Sequence, residues 1–118
     1  MILIKFNGIE YAGQHNTGLT YALDVGAVRG DAVTQTAAAT AGRGAADAAL
    51  LGKLETRDSD GLGTVIKRGV IVVPWSGAAV FGLQKVGVDG AGKAKVSATG
   101  RNCDVIGVAD GYAAIDLG

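Results

Sequence analysis

Apolar and polar residues exchange places along this chain mostly at every second position, the spacing of half-buried strands rather than of helices. The first block is Met1–Phe6 and Ile9–Gly13 on either side of Asn7-Gly8, a pair that favours a two-residue hairpin turn. That register places Ile2, Ile4, Phe6, Ile9 and Tyr11 on one face and sets Lys5 across from Glu10. After a polar loop, Leu19–Val28 alternates Leu19, Tyr21, Leu23, Val25 and Ala27 with smaller or polar residues, which predicts another strand. Arg29-Gly30-Asp31 then turns the chain into Ala32–Thr36.

Residues 37–49 carry little pattern. Ala, Gly and Thr dominate, so the stretch is expected to be a flexible loop or, over Ala45–Leu51, a short helix. Strand patterning resumes with Leu50–Arg57 and Leu62–Lys67 around the turn Asp58-Ser59-Asp60-Gly61. Val70–Val73 is a continuous apolar run, read as a strand covered on both faces and ended by Pro74. Ala79–Val88 and Lys93–Ser97 flank Asp89-Gly90-Ala91-Gly92. Cys103–Ala109 and Tyr112–Leu117 flank Asp110-Gly111, with Ile106 expected opposite Ile115 and Val108 opposite Ala113. Roughly eight to ten short strands at this spacing predict an all-β fold, a small β-sandwich or partly closed β-barrel of antiparallel strands. Residues 1–118 are read as one domain of that kind.

Composition sharpens this picture. Twenty glycines without a three-residue period exclude a collagen and instead punctuate hairpins. Apolar residues make up 48% of the chain, but aromatics only 5%, so the core is expected to be thin and built from Ala, Val, Leu and Ile. Eleven basic and eleven acidic residues cancel, giving no net field to draw nucleic acid or an anionic membrane. The single cysteine, Cys103, cannot form an intramolecular disulfide. No stretch approaches the ~20 apolar residues of a membrane span. Met1-Ile2-Leu3-Ile4, interrupted by Lys5, is too short for a leader's apolar segment, so synthesis in a reducing cytoplasm is expected.

Several short motifs carry potential chemistry, and each has a turn reading beside it. Gly87 to Lys93 has the glycine spacing of a phosphate loop, but Ala94 replaces the hydroxyl residue that would meet Mg²⁺, and a strand pattern follows. Asp58-Ser-Asp60-Gly61 starts like a calcium loop, yet Gly69 stands where its bidentate Glu belongs. Arg29-Gly30-Asp31 matches an adhesion tripeptide within an ordinary turn. His15 and Cys103 could pair as base and nucleophile, but no third group orients them. No catalytic residue, metal ligand or cofactor site is assigned, and the chain is expected to be no enzyme. Trp75, after the most apolar strand, is a candidate partner contact, as tryptophans are favoured in interface hot spots.

From Leu51 onward the chain resembles the capsid decoration, or cement, proteins of tailed bacteriophages. The matching text is Gly52-Lys-Leu-Glu-Thr-Arg-Asp-Ser-Asp-Gly61-Leu, Arg68-Gly-Val-Ile-Val-Val-Pro-Trp75-Ser-Gly77, Lys85-Val-Gly-Val-Asp-Gly-Ala-Gly-Lys93 and Val105-Ile-Gly-Val108, with Val28-Arg-Gly-Asp-Ala-Val33 upstream. The resemblance implies a homotrimer on the outer capsid surface, at three-fold positions, bound to the major capsid protein and stabilising the shell. It touches neither packaged nucleic acid nor membrane. Ile2, Ile4 and Trp75 are the expected partner-interface residues. A different class of function is a small β-sandwich binding glycans or another ligand, with Trp75 and Tyr21 or Tyr112 as stacking surfaces.

Overall fold

The computed structural model describes residues 17–118. Within them the chain is all-β, and its ten strands fall into two sheets of five. The first sheet contains β1 (Thr17–Leu23), β2 (Ala32–Ala37), β3 (Thr40–Gly42), β4 (Gly52–Leu54) and β5 (Leu62–Arg68). Its order is β1-β3-β2-β4-β5, and β5 pairs back onto β1, so the sheet is a closed barrel. The second sheet contains β6 (Val70–Pro74), β7 (Gly82–Val88), β8 (Ala94–Val96), β9 (Arg101–Ala109) and β10 (Tyr112–Asp116), in the order β6-β10-β9-β7-β8. Its two outer strands approach each other at a bridge between Trp75 and Ala94. The small-barrel expectation therefore holds, with one addition: β1 runs parallel to β3 while every other ladder is antiparallel.

Alternation decides which side chains go inside. On β6, Ile71 and Val73 are fully buried while Val70, Val72 and Pro74 are half-buried, so its second face is only partly covered. Ile71, Val73, Val86, Val88, Val105 and Ile115 form the larger cluster with Trp75 and Cys103. A smaller cluster of Tyr21, Val33, Ala41, Leu54 and Val65 fills the closed barrel. Each buried Val or Ile contributes about 1.5–3 kcal/mol relative to exposure.

Residues 37–49 form neither a helix nor a loose loop. Ala37 ends β2, Ala38 and Ala39 turn, and β3 returns beside it. Arg43–Ala49 then lies as a strap along β7. Asp47 donates its N–H to the Val88 carbonyl (2.8 Å), and Val88 donates to the Ala48 carbonyl (2.9 Å). Thr99 Oγ1 donates to the Asp47 carbonyl (2.7 Å), and Lys95 pairs with the Asp47 carboxylate (2.9 Å). Alanine's helix preference is worth only tenths of a kcal/mol per residue, and these tertiary bonds outweigh it. The strap lies this close because β7 has Gly87 beneath it: a Cβ there would stand 2.7 Å from the Ala48 carbonyl oxygen.

Other boundaries shift for similar reasons. The strand expected over Leu19–Val28 stops at Leu23, because Asp24 accepts the Ala27 N–H (3.3 Å) and turns the chain. Val25 is consequently left 99% exposed. The strand expected over Leu50–Arg57 shrinks to β4, and that over Ala79–Val88 begins at Gly82. At the last hairpin Val108 faces Ala113 as expected, but Ile115 faces Val105, not Ile106. A β-bulge at Ala114/Ile115 absorbs one residue of β9 and turns Ile106 out to solvent, while Val105 takes its place inside.

Arg101 joins the two sheets. Its guanidinium donates to the carbonyls of Leu51 (2.8 Å), Lys67 (3.0 Å) and Leu117 (3.1 Å). These carbonyls come from the segment entering β4, from β5 and from the chain end. A planar fork reaches three such acceptors where an ammonium would not hold the same geometry. Arg101→Met is expected to cost about 2–4 kcal/mol, since it strands three carbonyls that accept from a charged donor. Arg101→Lys should recover only part of this, as read from denaturant midpoints; a Lys variant as stable as the parent would refute the fork's role. Gly52 poses a simpler requirement, because a Cβ there would run into the Ile66 carbonyl. Gly52→Ala is expected to destabilise by about 2 kcal/mol or more in the same measurement.

Candidate functional site

The residues singled out in sequence do not converge. Trp75 is 5% exposed and belongs to the larger core cluster. Its indole Nε1 donates to the Ala78 carbonyl (3.0 Å), which satisfies the ring's polar atom inside the protein. The expectation that Trp75 is a contact or stacking residue is thereby corrected: its ring organises the turn after β6. Tyr21 is also buried, with its hydroxyl accepting from Lys67 Nζ (3.1 Å) and that ammonium 5.8 Å from the ring centroid. Only Tyr112 of the proposed stacking residues is open, at 49%. Ile2, Ile4 and His15, and with them the Asn7-Gly8 hairpin, lie outside the described residues.

The motif-like stretches use their polar groups internally. In Arg29-Gly30-Asp31 the Asp31 carboxylate is buried, accepting from the Val28 N–H (2.8 Å) and from Arg43 Nε (2.8 Å). The hydrogen bond to Asp31, and then its charge, raises the already high pKa of the Arg43 guanidinium. A carboxylate so engaged is not presented to an adhesion receptor. Gly87 to Lys93 is the end of β7 and the hairpin into β8. There Asp89 Oδ1 accepts from the Ala91 N–H (2.7 Å) and the Lys93 N–H (3.1 Å), so backbone donors that a phosphate would need are already taken. Asp58 to Gly61 is a turn in which Asp60 Oδ1 accepts from the Leu62 N–H (3.0 Å). Among the described residues no group of three or more His, Cys, Asp or Glu side chains is placed to hold a metal ion.

Cys103 is buried on β9, facing the core. Burial pushes its thiol pKa up; Arg101 works against that shift, and Asp116 adds to it. Nucleophilic cysteines need the opposite environment.

What sequence reasoning passed over is an apolar surface on the second sheet. Phe81 is 80% and Leu83 86% exposed, beside Ile106 at 40%. Leu83 faces Asp104 and Gly82 faces Val105, where the ladder begins, and Phe81 precedes it in the turn entering β7. The Phe81 carbonyl accepts from Gln84 Nε2 (3.1 Å), which fixes the turn entering β7. A signal was available: Val86 and Val88 share one face of β7, so Leu83 and Lys85 must share the other. No family model, no curated protein and no solved structure matches the chain.

The Cys103 environment yields two expected outcomes. In native protein iodoacetamide should label it at least ~10-fold more slowly than a free thiol, with full labelling after denaturation. The raised folded pKa means the fold holds the thiol protonated where the unfolded chain ionises it, above about pH 8.5. That stabilising contribution is complete below the unfolded pKa and is lost as pH rises toward the folded one. The loss of stability between about pH 8 and 10 should therefore be smaller in Cys103→Ala than in the parent protein, read from denaturant midpoints; equal losses would refute it.

Proposed function

We propose that this chain is a structural decoration protein of a phage capsid, binding the major capsid protein on the outer surface of the head as a homotrimer at three-fold positions. The observation that carries the reading is the order of its turn-bounded elements. The Gly52–Gly61 text is β4 and its following turn, the Arg68–Gly77 text is β6 with its Trp-anchored turn, and the Lys85–Lys93 text is the β7–β8 hairpin. The Val105–Val108 text lies on β9, the strand between β10 and β7. This succession of strand, turn, strand, hairpin and closing strand is the one on which the resemblance to cement proteins rests.

The physics suits such a role. A body closed by ladder bonds and by the Arg101 fork has little to reorganise on docking, so less binding energy is lost to ordering. Repeated copies on a symmetric shell gain by multivalency. A net charge of zero gives no attraction to DNA inside the head. In this reading the chain performs no reaction, needs no cofactor, and resides on the virion after assembly in the host cytoplasm. The glycan-binding reading loses support, because Trp75 and Tyr21 are in the core.

The test is binding to expanded, undecorated shells of the phage that encodes the chain. Saturable binding at a fixed number of copies per three-fold position, with shells that withstand higher temperature, is the expected result. Protein that sediments free of those shells at micromolar concentration overturns the proposal.

A further inference from the structure

The exposed apolar strip on the second sheet is more than a chance solvent contact. Leu83 projects from β7 and Ile106 from the bulge on β9, both on the face away from the core, while Phe81, 80% exposed, stands in the turn that enters β7 at Gly82. With large apolar side chains offering about 150–250 Å² each, Phe81, Leu83 and Ile106 leave on the order of 300 Å² of apolar surface in water. That is within the range of the largest, often functional, patch on a monomer, and about a third of what one partner contributes to a standard interface.

Charge identifies the occupant. Asp104 lies opposite Leu83, and Asp116 lies opposite Asp104, so an acidic pair borders the strip. Like charges placed directly across two strands repel, a cost that a cation brought from outside would relieve. Lys85 sits on the same face of β7, two residues beyond Leu83 and exposed. Neither Lys85 nor Asp104 takes part in an ion pair among the described residues. The face therefore carries an apolar centre with its own acidic and basic flanks, and it is complementary to another copy of itself. Copies related by rotation can bring Lys85 of one against Asp104 and Asp116 of the next, a heterologous contact that closes into a ring.

We propose that the face bearing Phe81, Leu83 and Ile106 is the surface through which copies of this chain associate, with Lys85 pairing the Asp104–Asp116 edge of the neighbouring copy. This rests on the self-association part of the function proposed above and assigns it to named residues. Neither Phe81 nor Leu83 takes part in the core, so polar replacements leave the fold intact.

The experiment is sedimentation equilibrium of the full chain and of Phe81→Ser/Leu83→Ser, with circular dichroism confirming the fold of both. A multimeric parent and a double variant that sediments as a monomer are expected. Lys85→Glu is expected to weaken association at least 10-fold, and Lys85→Glu combined with Asp104→Lys to restore part of it. On the unaltered chain, amide exchange over residues 81–85 and 104–106 should slow as concentration rises. A monomeric parent, or a double variant that keeps the parent's mass, overturns the assignment. If the double variant keeps its mass but no longer binds undecorated shells, the face meets the capsid protein instead and the assignment is likewise overturned. Shell binding by the parent is measured separately, so failure of the self-contact and failure of the capsid reading give different results.

Discussion

The guanidinium of Arg101 is the point on which the two halves of this molecule depend. The larger core cluster spans both sheets, with Ala32, Leu50 and Ile66 of the barrel side packed among side chains of the second sheet. A planar cation at the start of β9, donating to a carbonyl before β4, one on β5 and one at Leu117, adds directional bonds to that apolar contact. Hydrogen bonds to a charged group are worth about 1.5–3 kcal/mol, a large share of what a domain of this size has in reserve. The charge itself is satisfied by carbonyl dipoles, so its geometry comes without the partner specificity of an ion pair. The Asp31–Arg43 pair plays a related part at the other end, holding the turn before β2 to the segment after β3.

Small side chains explain why polar staples are needed. Buried positions are mostly Ala and Val, and neighbouring segments approach so closely that a Cβ at Gly52 would meet the Ile66 carbonyl of the paired strand and one at Gly87 the Ala48 carbonyl of the strap. Close approach converts missing side-chain volume into backbone proximity, and the strap from Arg43 to Ala49 is bonded to β7 on that basis. Such a surface is rigid without being bulky.

Much of this fold was legible because hairpin chemistry is local. Asp58–Gly61, Asp89–Gly92 and Asp110-Gly111 all turn where their residues say they should, and alternation on β6 sorts its buried positions from its half-buried ones. What escaped was set by distant partners. The strap looks featureless because its bonds go to Val88 and Thr99, far along the chain. The bulge that exchanges Ile106 for Val105 leaves no mark in an apolar run where either residue could face inward. Trp75 suggested a surface because tryptophan suits interfaces, yet its Nε1–H finds the Ala78 carbonyl and the ring stays inside. The apolar face at Phe81 and Leu83 was hidden for the converse reason, as a large hydrophobic residue in a strand reads first as core.

The ring order of the first sheet also dictates a schedule. β1, the earliest described strand, bonds only to β3 and β5, so it has no complete seat until the chain has been made as far as Arg68. The Arg101 fork comes later still, for its third acceptor belongs to Leu117, a residue that has yet to leave the ribosome when Arg101 emerges. During translation the early strands must therefore wait with their edges open, and the last bonds form only once Leu117 has emerged. Such non-local pairing slows folding and exposes strand edges to other chains. Contacts between half-finished chains are therefore a hazard that the stability of the finished fold does nothing to remove.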